Sequence, residues 1–164
     1  MKRTFTEIAI IVGVFGAASV VGGYLKIPSP IGSIALDSLP GYFTGGYFGP
    51  MLGGVVGAIG HLASALTGGL PLGPTNHLAI AATMFFWCAG FGLIMRRIKG
   101  WLGAALAVAF ATFANGVLST YLIVALGGVP AAAAPSVVFF VTIAAFINST
   151  LAAVGVRILS RSSN

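Results

Sequence analysis

Long apolar runs broken by short glycine- and proline-rich stretches divide this chain into six segments. A helix spans a bilayer in roughly 20 residues, and on that measure the runs predict an all-α bundle of six transmembrane helices. The segments run from about Thr4 to Tyr24, Leu36 to Phe48, Pro50 to Leu66, His77 to Met95, Trp101 to Leu126 and Val137 to Leu159. Between them stand IPSPIGS, the Gly49-Pro50 pair, TGGLPLGP, the charged RRIK and GGVPAAAAPS, each carrying turn chemistry or charge. The second and third segments are short for full spans. All 164 residues read as one domain.

Composition agrees with the pattern. The chain is 58% hydrophobic and 6% charged, with a mean hydropathy of +1.06, whereas soluble domains carry roughly 25% charged residues. An integral membrane protein follows. A pI near 10.1 in a soluble protein would suggest nucleic acid, but here the Lys and Arg residues sit at the ends of apolar runs and form no basic face. They act as topology signals instead. With both termini cytoplasmic, Lys2, Arg3, Arg96, Arg97, Lys99, Arg157 and Arg161 fall inside and only Lys26 falls outside. That asymmetry supports an even number of spans. The first segment also has the look of a secretory signal, but its removal would leave five spans and spoil the charge pattern. Thr4 and Glu7 have capping-box spacing, which gives Glu7 a role at a helix start.

Catalytic chemistry finds few residues to work with. Glu7 and Asp37 are the only acids in the chain, and on the predicted topology they lie at opposite membrane faces. They cannot form a catalytic pair or hold a catalytic metal. No GxSxG, HExxH or phosphate-binding loop occurs, and the single cysteine, Cys88, lies inside the fourth apolar run as a small filler. Neither cofactor nor metal is implied. Energy for any transport must come from outside this chain.

Small residues and intramembrane polar groups carry more information. Gly41, Gly45, Gly49, Gly53 and Gly57 recur every four residues, a spacing that lets helix backbones approach closely. Ala9, Gly13 and Ala17 repeat it in the first segment, where the row can face either a neighbouring helix or a partner subunit. Polar residues inside apolar runs normally face the bundle or a cavity; here they are His61, Asn115 and Asn148, with Thr75, Asn76 and His77 at the outer mouth of the fourth helix. Each asparagine can bond a neighbouring helix or a ligand. His77, Ala81, Met84 and Cys88 share one helical face with Trp87 at its edge, a candidate pocket wall. Asp37 stands before Pro40, where it can cap the second helix and, with the Pro28 and Pro30 loop, close a lid over the outer mouth.

The outer loop followed by LDSLPGYFTGGYFGPMLGGVVGAIGHL, with its Leu-Pro, its Gly-Pro and its glycine-rich helix, resembles the S components of energy-coupling factor (ECF) vitamin importers. The resemblance implies a six-helix substrate-binding subunit in a prokaryotic cell membrane, without enzymatic activity. It also implies a transmembrane coupling subunit and two ATPases as partners. Carried over by position, it points to the IPSPIGSIALDS loop, His77, Asn115 and Asn148 for the ligand, and to Ala9, Gly13 and Ala17 for docking; Lys26, Asp37, Asn76 and Trp87 complete the expected substrate site. GSIALDS together with GGLPLGPTNH looks most like members assigned to α-ribazole, a cobalamin precursor. Riboflavin carriers share the Leu-Pro and Gly-Pro pattern.

Two other classes stand beside this expectation. A stand-alone proton- or sodium-coupled carrier needs an ionisable group deep in the membrane, and only His61 offers one. A lipid-acting transferase would need the catalytic metal site that two separated acids cannot make.

Overall fold

A computed structural model describes residues 3–29 and 32–162. Among them five helices are long and apolar enough to cross a membrane: Phe5–Tyr24, Pro50–Thr67, Pro74–Arg97, Gly100–Ala125 and the last, within which the helix proper is Ala134–Ser162. We call these α1, α3, α4, α5 and α6. The remaining predicted segment forms α2, Leu39–Tyr47. Its nine residues extend about 13 Å at ~1.5 Å per residue, so α2 alone does not cross.

The capping box expected at the chain start is present. Thr4 Oγ1 accepts from the Glu7 amide at 3.2 Å and Glu7 Oε2 accepts from the Thr4 amide at 2.8 Å. Beyond α1 the predicted lid loop forms a short antiparallel ribbon, Lys26–Ser29 paired with Gly32–Ala35, with Lys26 opposite Ala35. The Leu36 amide donates to Gly22 O at 3.0 Å and fastens the ribbon's exit to the end of α1. Pro40 lies in the first turn of α2, where its missing N–H costs nothing. At the opposite end of α2, Gly49 turns the chain at φ 137°, a conformation that other residues rarely adopt, and Pro50 opens α3.

Cations gather at that opposite end. Arg3 Nη1 donates to Phe48 O at 2.7 Å. Arg157 Nη2 reaches Met95 O at 3.3 Å and Ile98 O at 3.4 Å, satisfying carbonyls at the end of α4. Arg161 lies over the Trp101 ring at 5.7 Å.

The glycine row explains how α2, α3 and α4 pack. A β-carbon on Gly41 would stand 2.8 Å from Cys88 Sγ, one on Gly57 2.6 Å from the same sulfur, and one on Gly45 2.5 Å from Cys88 O. Gly53 backs onto Gly45. Gly49 is the exception in the row, since it makes the turn and a β-carbon there would meet nothing. Close approach of three backbones leaves room for one sulfur, and Cys88 is fully buried there. Beside it Tyr42 and Phe91, also fully buried, pack with ring centroids 5.2 Å apart. On α1 the buried face is Gly16, Ser19, Gly22 and Gly23; Ala9, Gly13 and Ala17 lie on the exposed side, and a β-carbon on Gly13 would meet nothing within 4 Å.

Candidate functional site

At the ribbon end of the bundle a cavity of about 390 Å³ opens between the start of α2, α3, the α3–α4 loop, α4, α5 and α6. Most of its wall is apolar, with Ile80 and Met84 from α4, Ile123 from α5, and Val137, Phe140 and Val141 from α6. Polar groups occupy two places: Asp37, Ser38, His61 and His77 on one side, and Asn115, Ser119 and Thr120 on α5.

The α5 group owes its arrangement to a π-helical turn, Ala114–Leu118, inserted between the α-helical stretches Gly100–Phe113 and Ser119–Ala125. Such a bulge adds a residue to the turn and changes which positions share a face. As a result Asn115, Ser119, Thr120 and Ile123 all reach the cavity. The turn packs tightly on α6, because a β-carbon on Gly116 would stand 2.8 Å from Thr142 Cα. Thr120 Oγ1 donates back to Gly116 O at 2.7 Å, and Ser119 Oγ accepts from Trp87 Nε1 at 2.9 Å.

The other polar group is a chain of side chains. The Leu72 amide donates to His77 Nε2 at 3.3 Å, His77 Nδ1 lies 3.2 Å from His61 Nε2, and His61 Nδ1 lies 3.8 Å from Asp37 Oδ2. The last gap exceeds a direct hydrogen bond but is short enough for the carboxylate to orient the imidazole. Three stretches of the chain, around Asp37, His61 and Leu72–His77, thus meet at one cavity wall.

Of the residues singled out from the sequence, Asp37, His61, His77, Met84 and Asn115 line this cavity. Trp87 does not; its indole supports Ser119 and packs edge-on against Phe110 at 6.1 Å. Asn76 does not either, for its amide donates to Leu72 O at 2.8 Å and lies under Gly128. Lys26 takes part in the ribbon backbone, but its ammonium group lies outside the described residues.

One expectation is corrected at α2. Asp37 is not its cap: the N-cap position is Ser38, and no side chain of these two bonds the first turn. The acceptor is Asn148, whose Oδ1 takes the Leu39 amide at 2.9 Å while its Nδ2 donates to Ala35 O and Ala144 O, each at 2.8 Å. Fully buried and bonded on both ends, Asn148 holds helices and ribbon together and does not line the cavity. A carboxylate could not do this, because it has no donor for Ala35. Ser119 and Thr120, which also line the cavity, were not singled out. Their signal was present only as isolated polar residues in apolar runs.

Comparison with known proteins gives one result for the whole chain. The family described as ECF transporter, substrate-specific component, matches residues 9–160. No curated protein sequence matches. That family consists of multi-pass membrane subunits that bind a small molecule for an importer and associate with ECF module subunits; it is not an enzyme family. With a match spanning nearly all of the bundle, this chain belongs to the substrate-specific components of ECF transporters.

Proposed function

We propose that the chain captures a small vitamin or cofactor precursor outside the cell, with α-ribazole the first candidate, and hands it to a coupling subunit and two ATPases. The observation that carries this reading is the cavity at the ribbon end, where apolar walls face two separate polar groups. A flat heteroaromatic ring needs apolar walls, and its substituents need a few fixed polar partners. In this reading Asp37, His77 and Asn115 contact the ligand. Riboflavin is the first competitor, on the Leu-Pro and Gly-Pro pattern.

Topology in this proposal has six membrane-embedded segments, α2 with its flanks being the sixth, and both termini cytoplasmic. The cations Arg3, Arg157 and Arg161, held near Phe48, Met95 and Trp101, then lie on the inner face as positive-inside bias requires. The outward row of Ala9, Gly13 and Ala17 is the docking face for the coupling subunit, since small residues permit close helix approach.

One observation favours a second reading. Asp37, His61 and His77 form an ionisable cluster, which an ion-coupled carrier would need. Uptake of labelled α-ribazole by cells decides between the two. The ECF reading expects uptake that depends on a co-expressed ATPase module and survives collapse of the proton gradient while ATP is maintained. Rapid uptake by the purified protein in liposomes under a pH or sodium gradient alone would establish the carrier instead.

A further inference from the structure

The direction of the Asp37–His61–His77 chain is fixed by one backbone group. Because the Leu72 amide donates to His77 Nε2, that nitrogen carries no proton, and a neutral His77 holds its proton on Nδ1. Nδ1 faces His61 Nε2 at 3.2 Å. His61 Nε2 is therefore the acceptor, and its own proton sits on Nδ1, toward Asp37 Oδ2. Both imidazole donors are directed along the chain, and the chain ends in acceptor oxygens. The carboxylate is partly exposed, at 21%, and it lines the cavity.

The remaining lining groups add little for an anion. Neither Lys nor Arg lines the cavity among the described residues. The Thr120 hydroxyl donates to Gly116 O, leaving an acceptor for the cavity. Because the Thr83 proton goes to Ile80 O, the Ser119 hydroxyl donates to Thr83 Oγ1. The remaining lining donors are the Asn115 amide, beside Tyr42, and the Ser38 hydroxyl. An anion entering here would lose its hydration, find few donors and face a fixed carboxylate. A hydroxyl, an amine or a ring N–H would meet an acceptor.

We propose that this cavity selects an uncharged or cationic ligand that donates hydrogen bonds to Asp37, and turns away carboxylates and phosphate esters. The inference rests on the reading of the cavity as the substrate site and narrows it. It separates a nucleoside-like precursor from its own phosphate.

Binding to the purified protein tests this with matched probes: α-ribazole against α-ribazole 5′-phosphate, riboflavin against riboflavin 5′-phosphate, and biotin and nicotinate as carboxylates. The neutral member of at least one pair should bind, with its phosphate about tenfold weaker or worse. Asp37→Asn, which keeps the shape and removes the charge, should shrink that gap to about threefold or less. A phosphate or carboxylate bound by the parent protein as tightly as any neutral probe would overturn the inference, whether Lys26 or another group holds it. It would leave the substrate-site reading standing. An unchanged gap in a folded Asp37→Asn protein would overturn it too. Failure of every probe to bind would remove the substrate-site reading, and the inference with it. The comparison of probes on the parent protein needs no variant to fold.

Discussion

The Leu39 amide donates to Asn148 Oδ1 at 2.9 Å, so the first turn of α2 is capped by a side chain 109 positions away on α6. The same side chain holds Ala35 O at the end of the ribbon. Cap, ribbon and last helix therefore form one buried unit at the edge of the cavity. Leaving such groups unpaired costs about 1–3 kcal/mol each, so Asn148→Leu should lower thermal stability in detergent even without ligand. Thermal unfolding of the ligand-free variant checks this, and an unchanged midpoint would contradict the role.

The enclosure of Cys88 by glycines predicts a pattern in double mutants. Gly57→Ala sets a methyl against the Cys88 sulfur, whereas Gly45→Ala sets one against the Cys88 backbone carbonyl. Each should destabilise by about 1–3 kcal/mol, as overpacking does. Cys88→Ala should rescue part of the Gly57→Ala loss and little of the Gly45→Ala loss. Unfolding measurements on the two cycles give the coupling directly.

Periodicity and turn chemistry made most of the helices legible, because long apolar runs and their Gly-Pro breaks are local signals. Pro50, Gly49 and the Thr4–Glu7 box all stand where local rules put them. The cavity was legible only in part. His61 and Asn115 stood out as costly polar groups inside apolar runs, His77 at the mouth of the fourth helix and Asp37 in the outer loop, but the pairing of His61 with His77 and Asp37 depends on how α3 meets α4, which no local spacing encodes. The cap of α2 shows the same limit. Asp37 has the right type and position for a cap, yet an amide from α6 outcompetes it because that amide also satisfies Ala35. The π turn at Ala114–Leu118 belongs to the packing of α5 on α6 and carries no local sequence signature.

For docking, the exposed row on α1 predicts a separation of functions. Gly13→Leu adds bulk where a β-carbon meets nothing within 4 Å, and glycine is a poorer helix former than leucine by several tenths of a kcal/mol or more. The isolated variant should be at least as stable as the parent and bind ligand normally. Transport by the complete complex should fall. Normal transport would remove this face from the docking surface.

If the cavity beside Asp37, His61 and His77 holds the transported molecule, filling it must expel that molecule. Native mass spectrometry of the protein purified without its partners, from cells grown in rich medium, tests it most directly when paired with Ala144→Phe, which fills the cavity from α6. The account predicts one small heteroaromatic molecule bound per parent chain and none on a folded Ala144→Phe chain. A ligand retained equally by both proteins would contradict it.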